Sequence, residues 1–246
     1  MFSDIHSHLL FGVDDGPKTE EEMFELLDLS YRDGVRKLCL TPHFNVRFYG
    51  DNNSATERAF SVLCEYANDR YPDLKLFLGN ELFYYQGACS HLGDGVCRTI
   101  NKSKYVLVDF LSSEETYSIL ESVKALVSEG FIPIVAHAER YRKLTRNGLG
   151  NVTLLKEHGA LVQVNAPSLI GKNGLRQKLL SRKLISAGLC DIISTDTHDA
   201  GERSTCMTKA AAYVQKHYGD TIRELLTYKN ASDIFDGIHQ THNANN

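Results

Sequence analysis

Seven short apolar runs, separated by segments with helical periodicity, constrain the fold of this 246-residue chain more than any other feature. The runs are continuous in Val, Ile and Leu, which is typical of buried parallel strands. Parallel strands joined through helices need right-handed crossovers, so the alternation predicts either a barrel or an open doubly wound sheet. The runs are FSDIHSH, RKLCLTPH, LKLFLGNE, KYVLVDF, IPIVAHAE, ALVQVNA and CDIISTDTH.

Each run ends, at its C-terminal side, in a histidine, a carboxylate or an asparagine. A barrel gathers all these strand ends at one mouth, whereas an open sheet would spread them along a line. We therefore predict an α/β fold, a distorted (β/α)7 TIM-like barrel, with these side chains converging at its mouth. The residues are His6, His8, His43, Glu81, Asp109, His137, Asn165, Asp196 and His198.

Helix starts and ends are predicted from capping spacings and glycines. Helices should end near Gly34 and Gly130, and further helical patterns lie near 151–158, 174–187 and 203–217. Three Ser/Thr-x-x-Glu pairs predict helix starts: Thr19 with Glu22, Ser54 with Glu57, and Ser112 with Glu115.

Composition excludes several classes of protein. A hydrophobic fraction of 42% and a charged fraction of 24% are those of a globular chain with a sizeable core. The net charge of -4 does not favour a nucleic-acid-binding surface. No run of 18 apolar residues and no signal peptide is found, and six cysteines show no CxxC pair. We expect a cytoplasmic protein without direct membrane insertion, with one domain over 1–238 and a disordered polar tail over 239–246.

The histidines and carboxylates at the strand ends predict a metal centre. Burying several unpaired charges in one cleft is costly unless cations compensate them. Mixed imidazole and carboxylate ligands suit Mn²⁺, Fe²⁺ or Zn²⁺. The set exceeds the needs of one ion, so we expect two or three divalent metals.

A cluster of this kind is suited to phosphoester hydrolysis, which also needs cationic side chains for the phosphate oxygens. Arg140 and Arg203 follow ligand-bearing strand ends in AHAER and THDAGER, and Arg47 is a weaker third candidate for substrate binding. Cys64 and Arg70 have the C-x5-R spacing of cysteine-dependent phosphatases. Their segment is glycine-free and helical, however, and cannot form the required phosphate loop.

The motifs DIHSHLLFGVDDGP, TPH, GNE, AHAER and STDTH resemble the PHP (polymerase and histidinol phosphatase) superfamily. More closely, they resemble the bacterial PHP-type protein tyrosine phosphatases of capsule and exopolysaccharide loci, the CpsB/YwqE-like group. The resemblance runs from residue 4 to about 205. It implies a distorted (β/α)7 barrel with three metals, often manganese, in which metal-bound hydroxide hydrolyses phosphotyrosine. The implied substrate is the tyrosine-rich tail of a bacterial tyrosine kinase that controls polysaccharide assembly.

The resemblance also assigns residues. It implies phosphate binding by Arg140 and Arg203, a catalytic part for Asp15 and His43, and a place beside the site for Asn165. Asp109 stands where the group has a glutamate; its side chain is shorter by about 1.5 Å, roughly one bond, and we retain it as a ligand. The other implied metal ligands are His6, His8, Asp15, His43, Glu81, His137, Asp196 and His198.

Two other functions stay open on the sequence. One is a PHP phosphatase for a small phosphomonoester such as histidinol phosphate, or a nuclease of the same superfamily. The other is a non-catalytic metal-binding scaffold that binds the kinase without hydrolysing any substrate. The oligomeric state is also open.

Overall fold

The computed structural model describes residues 1–49, 52–146 and 148–237. Within these residues the seven predicted runs all form parallel strands, so this part of the prediction is confirmed. Two of the runs are interrupted: the second at Thr41 and Pro42, and the third at Gly79 and Asn80. The strands are β1 (Phe2–Asp4), β2 (Val35–Leu40), β3 (His43–Phe44), β4 (Lys75–Leu78), β5 (Glu81–Phe83), β6 (Tyr105–Asp109), β7 (Ile132–Val135), β8 (Leu161–Asn165) and β9 (Ile192–Ser194).

The strands form a distorted barrel. The first sheet has three strands in the order β1-β2-β4. The second sheet has six strands in the order β3-β5-β6-β7-β8-β9. Just beyond β1 and β9 the ring closes through two backbone hydrogen bonds. Asp196 N–H donates to the His6 carbonyl at 2.9 Å, and His8 N–H donates to the Thr197 carbonyl at 2.8 Å.

A neighbouring segment packs closely against the third run at its bend. Ile100, in the 3-10 turn Ile100–Lys102, approaches Gly79 so closely that a Cβ atom there would lie 2.8 Å from Ile100 Cδ1. A side chain at this position would therefore require Ile100 to shift. The bend divides the run into β4 and β5 and carries Glu81, the first residue of β5, to the mouth.

Helices surround the strands. They are α1 (Glu20–Arg32), α2 (Asn53–Arg70), α3 (Ala88–Gly93), α4 (Thr116–Ser128), α5 (Gly150–Glu157), α6 (Ala166–Ile170), α7 (Leu175–Ser186), α8 (Met207–Glu224) and α9 (Asn230–Phe235). A further 3-10 turn spans Ala138–Arg140, and a π-helical turn at Leu225–Lys229 joins α8 to α9. None of the helices in the described ranges is long and apolar enough to cross a membrane.

Only one of the three predicted capping boxes caps its helix. Thr19 accepts a hydrogen bond from the Glu22 backbone N–H at 3.3 Å, as predicted for the start of α1. Helices do follow at both places, but the predicted caps Ser54 and Ser112 are wrong. The first lies inside α2, whose N-cap is Asn52, and the second precedes α4, whose N-cap is Glu115. The predicted tail 239–246 and the domain boundary at 238 lie outside the described residues.

The main core lies between the strands and the surrounding helices. It joins residues such as Leu27, Leu63, Val123 and Val214 of four helices to strand residues such as Val162. A smaller cluster lines the barrel interior and its lower end, with Ile5, Leu107, Ile134 and Ile192 at its centre. Apolar contacts therefore fill the interior below the mouth, and they provide a rigid floor for polar side chains above.

The N-terminus of α8 is capped by a residue from a distant part of the chain. Asp33, the C-cap residue of α1, accepts hydrogen bonds from Met207 N–H at 2.5 Å, Thr208 N–H at 3.1 Å and the Thr205 hydroxyl at 2.7 Å. Its carboxylate thus satisfies free N–H groups of α8 and interacts favourably with the helix dipole.

We predict that Asp33→Ala lowers the free energy of unfolding by about 1–2 kcal/mol, the usual effect of losing an N-cap. Urea denaturation followed by circular dichroism measures the change. Glu20→Ala, an exposed carboxylate in the first turn of α1, is the matched control and should have a smaller effect. Equal stability of Asp33→Ala and the parent protein would contradict this assignment of the cap.

Candidate metal centre

The first two predicted ligands lie side by side at the mouth. His6 and His8 follow β1 and are both buried. Residues two apart on extended chain face the same side, and the Nε2 atoms of the two imidazoles are 3.1 Å apart. The short spacing in DIHSH therefore directs two nitrogen atoms to one point.

Glu81 lies at the centre of the cluster. Its Oε1 is 2.9 Å from His137 Nε2 and 3.3 Å from His6 Nε2. Its Oε2 is 2.9 Å from His43 Nδ1 and 3.2 Å from His8 Nε2. One buried carboxylate therefore faces four imidazoles, two with each oxygen.

A second part of the cluster lies closer to solvent. Asp15 Oδ1 is 3.1 Å from His198 Nε2 and 3.5 Å from His43 Nε2, and the ring of His198 stacks on His8 with centroids 3.9 Å apart. The Asp15 side chain is 47% exposed, whereas His8 and His198 are buried. The loop carrying Asp15 turns at Gly16, where a Cβ atom would lie 2.2 Å from the His8 carbonyl oxygen. Glycine is thus required at position 16 for the loop to pack over His8.

Two residues of the cluster have a backbone conformation that is rare outside glycine. His137 has φ 33° and Asp196 has φ 55°. Such strained positions concentrate at functional sites, where the surrounding structure holds them. Asp196 Oδ1 is 3.4 Å from His6 Nε2. One ligand atom each of His6, His137 and Asp196 lie within 4.8 Å of one another.

Asp109 reaches the cluster despite its short side chain. One of its carboxylate oxygens lies within 4.8 Å of ligand atoms of Glu81 and His137. The Tyr141 hydroxyl donates to Asp109 Oδ1 at 2.8 Å, and Phe110 N–H donates to the same oxygen at 2.7 Å. Burial and the nearby Glu81 raise the pKa of the Asp109 carboxyl, while His137 opposes the shift. The geometry therefore allows Asp109 to act as a ligand.

Partners on the outer side of the rings orient three of the histidines. His8 Nδ1 lies 2.7 Å from Asp14 Oδ2, His6 Nδ1 lies 3.1 Å from Gln163 Oε1, and His198 Nδ1 lies 2.8 Å from the Asp196 carbonyl. Each partner is an oxygen acceptor, so in each neutral ring Nδ1 carries the proton and donates it. The Nε2 lone pairs of all three rings then point into the cluster, as in metal-bound histidines.

Charges inside the cluster shift the pKa values strongly. Burial would raise the pKa of the Glu81 carboxyl, but His6, His43 and His137 outweigh it and hold the pKa well below its usual value. Burial is the main cause that lowers the pKa of His198 to about 4, and the neighbouring His8 and Arg203 act in the same direction. The neutral form of the His198 ring is therefore favoured at neutral pH, and its Nε2 atom faces both Asp15 and Arg203.

The donor atoms fit divalent cations. Two ligand atoms about 2.1 Å from one ion lie about 3–3.5 Å apart, which matches the 3.1 Å separations of His6 Nε2 from His8 Nε2 and of His198 Nε2 from Asp15 Oδ1. Two lone pairs this close repel each other unless a cation or a proton lies between them. Four overlapping groups have one ligand atom per residue within 4.8 Å of one another: His8/Asp15/His43/His198, His6/His8/Glu81, His6/His137/Asp196 and Glu81/Asp109/His137.

The residues that these four groups share limit how many metal ions the cluster could hold. The first and third groups share no residue, so two ions could bind without a common ligand. A third ion would share Glu81 or one of the histidines with its neighbours. Glu81 is suited to bridging because its two oxygens face different pairs of rings.

The two predicted phosphate-binding arginines lie at the edge of the cluster. Arg140 Nη2 is 2.9 Å from Asp196 Oδ2, and Arg203 Nη1 is 2.8 Å from Asp15 Oδ2. Arg203 Nη2 also lies 2.6 Å from His198 Nε2. The side chain of Arg47, by contrast, is exposed and forms no hydrogen bond or ion pair with the cluster in the part of the chain that the structure describes. Its role in substrate binding stays a prediction.

Asn165 lies beside the cluster, as expected. Its Nδ2 donates to Asp196 Oδ2 at 2.7 Å, and its Oδ1 accepts from Gln163 Nε2 at 2.6 Å. Cys64 lies elsewhere, within α2, and burial and Glu65 raise the pKa of its thiol. A raised thiol pKa is the opposite of what a nucleophilic cysteine needs.

Sequence reasoning missed three residues that hold the ligands in place. Asp14 and Gln163 orient imidazoles, and Tyr141 holds Asp109. A signal existed for Gln163, since it lies two residues before Asn165 on β8 and therefore faces the same side. Nothing in the sequence distinguished Asp14 from the neighbouring Asp15, because the direction of each side chain depends on the turn at Gly16.

The fold and the cluster together define a class of protein: a parallel β/α barrel with a cluster of metal-ligand side chains at the C-terminal mouth. Residues 2–236 match the sequence profile of the family described as "Capsular polysaccharide synthesis, CpsB/CapC". The chain belongs to the CpsB/CapC family.

Similar proteins agree with this assignment. Tyrosine-protein phosphatase CpsB of Streptococcus agalactiae is 29% identical over 236 residues, covering 94% of this chain and 97% of the relative. A solved chain from crystal structures of YwqE of Bacillus subtilis and CpsB of Streptococcus pneumoniae, described as metal-dependent tyrosine phosphatases, is 28% identical with a TM-score of 0.87. That match covers 96% of this chain and 95% of the other. A phosphotriesterase homology protein from Escherichia coli, 14% identical with a TM-score of 0.61, covers 95% of this chain and 98% of its own, and it shares the fold alone.

We predict that Asp14→Ala weakens Mn²⁺ binding about 10–100-fold, because the His8 ring loses the carboxylate that fixes its orientation. Isothermal titration calorimetry on metal-free protein measures the affinity. Glu25→Ala removes an exposed carboxylate near the mouth and is the control expected to leave the affinity unchanged. An unaltered affinity in Asp14→Ala would refute the supporting role of this residue.

Proposed function

We propose that this chain is a metal-dependent phosphatase that hydrolyses phosphotyrosine in a protein substrate. The observation that carries the proposal is the convergence of Arg140 and Arg203 on the edge of a buried histidine–carboxylate cluster. This combination provides both halves of phosphoester hydrolysis: ligands for cations and donors for phosphate oxygens. Similarity to proteins named tyrosine-protein phosphatases supports the choice of phosphotyrosine.

The arginines would bind the phosphate in a fixed orientation. Asp196 and Asp15 each hold one guanidinium through a single close contact. Planar guanidinium groups have five N–H donors, so others stay available for a phosphate. The ion pairs would therefore position both groups before the substrate binds, and less conformational entropy is lost on binding.

The histidines and carboxylates would hold two or three divalent cations, for which we propose Mn²⁺. Such cations, when bound, supply Lewis-acid charge and lower the pKa of bound water. The buried residues Glu81, His6 and His137 hold the inner part of the site rigid, since they lie on a packed barrel. Asp15 and His43 lie on the solvent side, and we propose that they interact with the leaving phenolic oxygen. Its pKa near 10 makes little demand on a proton donor.

Aromatic side chains near the mouth favour an aromatic phosphate over a small aliphatic one. The Tyr49 ring stacks on His43 with centroids 5.3 Å apart, and Phe48, 73% exposed, lies edge-on to Phe83 at 5.8 Å. Offset and edge-on aromatic pairs add about 0.5–1.5 kcal/mol to burial. A phenyl phosphate could therefore pack against this segment while its phosphate reaches the arginines.

The cellular setting is also a proposal. Membership of a capsular polysaccharide synthesis family supports a role in capsule or exopolysaccharide assembly. A bacterial tyrosine kinase is the partner we propose, since such a kinase would supply the phosphotyrosine. The cytoplasm is the location we propose, where thiols such as Cys39, Cys97 and Cys190 stay reduced and buried.

We predict that a chelator abolishes hydrolysis of p-nitrophenyl phosphate and that Mn²⁺ restores it, because the buried cluster provides no nucleophile of its own. Cys64→Ser should leave the rate unchanged, whereas His137→Ala should remove it. A panel of a phosphotyrosine peptide, histidinol phosphate and an oligonucleotide then defines the substrate. Preference for either of the latter two, or loss of activity in Cys64→Ser, would overturn the proposal.

We further predict that Arg140→Lys lowers kcat/KM about 10²–10³-fold, because a single ammonium group replaces a planar fork at a site of developing charge. The metal content, measured by inductively coupled plasma mass spectrometry, should stay as in the parent protein. Lys156→Arg, on α5 and paired with Asp191, is a control outside the site. Loss of metal together with activity would mean that Arg140 acts by holding Asp196 rather than by binding phosphate.

A further inference from the structure

Positive charge is concentrated in one part of this acidic chain. The stretch 140–183 contains ten of the 27 Lys and Arg residues but only one of the 31 Asp and Glu residues, Glu157. It includes the loop after β7 and all but the last three residues of α7. A chain with net charge -4 therefore has a strongly basic segment that begins at Arg140.

Part of this segment forms an open groove of about 1110 Å³ between the loop after β7 and α7. We call it the basic groove and define it by six residues: Arg142, Lys143, Arg146, Leu175, Arg176 and Leu179. Leu175 and Leu179 are 71% and 57% exposed, and they lie one helical turn apart on the same face of α7. Exposed leucines edged by cationic side chains are typical of an interaction surface.

The positive charge of the groove is only partly neutralised. Lys143 pairs with Glu115, and Arg176 donates to Thr145 Oγ1 at 3.0 Å and to the Glu139 carbonyl at 3.4 Å. The side chains of Arg142 and Arg146 are exposed and form no ion pair with a carboxylate of the described residues. The groove thus has at least two guanidinium groups ready to bind an anion.

The groove adjoins the candidate metal centre. Arg142 follows the phosphate-binding candidate Arg140 by two residues, a reach of about 7 Å along the chain. Arg176 is hydrogen-bonded to the carbonyl of Glu139, the residue before Arg140. An extended peptide whose phosphotyrosine entered the mouth could therefore place residues a few positions away in the groove.

We propose that the basic groove docks an acidic segment of the protein substrate, with an apolar side chain on Leu175 and Leu179 and carboxylates on Arg142 and Arg146. This inference rests on the proposed phosphotyrosine phosphatase function and specifies the sequence context of its substrate. Charge also favours one direction, because Glu22, Glu25 and Asp199 line a small cleft beside Asp15. An acidic segment is repelled there and attracted to the basic groove.

Kinetics on matched peptides test the proposal. Each peptide carries one phosphotyrosine, one leucine and three residues that are Glu, Gln or Lys, on the N-terminal or the C-terminal side. When the charged residues lie on the side of the phosphotyrosine that reaches the groove, we expect kcat/KM of the Glu peptide to exceed that of the Gln peptide about tenfold at low salt. The difference should come from a lower KM, and it should decrease as the salt concentration rises.

The double variant Arg142→Glu/Arg146→Glu should abolish the preference while p-nitrophenyl phosphate, which reaches only the mouth, is hydrolysed at the parent rate. Lys183→Glu/Lys216→Glu changes the net charge equally at exposed positions outside the groove, and it should retain the preference. An equal loss of preference in both double variants, or none in the first, would overturn the groove as the docking site.

Binding separates the groove from the catalytic proposal. Fluorescence anisotropy with an unphosphorylated Glu/Leu peptide should give a Kd about tenfold higher for Arg142→Glu/Arg146→Glu than for the parent protein or the control variant. This result would support the groove even if no phosphotyrosine peptide were hydrolysed. If anionic phosphatidylserine vesicles, and not the peptide, bound in a way that needs Arg142 and Arg146, the groove would be a membrane surface and the peptide proposal wrong.

Discussion

The mouth of this barrel depends on Glu81, a buried carboxylate that faces four imidazoles. A single buried charge of this kind would cost several kcal/mol if unpaired. Glu81 begins β5, directly after the break that separates β4 from β5, and at that break Ile100 packs closely against Gly79. The distortion of the barrel and the placement of its central ligand are therefore parts of one arrangement.

The same cluster imposes demands on the residues around it. Imidazoles can direct lone pairs to a common point only if their other nitrogens have partners, and Asp14, Gln163 and the Asp196 carbonyl provide them. His137 and Asp196 accept strained backbone conformations in the same small region. Apolar packing of the strands below holds these two residues in their strained conformations, because the barrel interior is closely filled. The packing of the barrel stabilises the fold, and this stability offsets the repulsion between the groups that are held close together at the mouth.

Much of this arrangement can be predicted from the sequence, and the reasons are specific. Continuous apolar runs identify the strands, and parallel order brings their C-terminal ends together, so residues such as Glu81, His137 and His198 are expected at one mouth. The first residue of a helix is harder to predict from the sequence. Ser54 and Ser112 have capping spacing, yet Asn52 and Glu115 are the N-caps, so the Ser-x-x-Glu spacing does not locate the first residue of either helix. The cap on α8 comes from Asp33, 174 residues before Met207, and no local pattern could reveal it.

Long-range geometry also decides which charges can act on a substrate. Arg140 and Arg203 are drawn into the cluster by Asp196 and Asp15, whereas Arg142, two residues further along, points away into an exposed groove with Leu175 and Leu179. A loop that leaves a strand end thus provides one arginine to the mouth and the next to the adjacent surface. Because the cleft beside Asp15 is lined by acidic residues, the field around the mouth is asymmetric, and an anionic peptide would be oriented as well as attracted. In a chain whose net charge is -4, such segregation of charge would allow the proposed acidic substrate segment to approach the site.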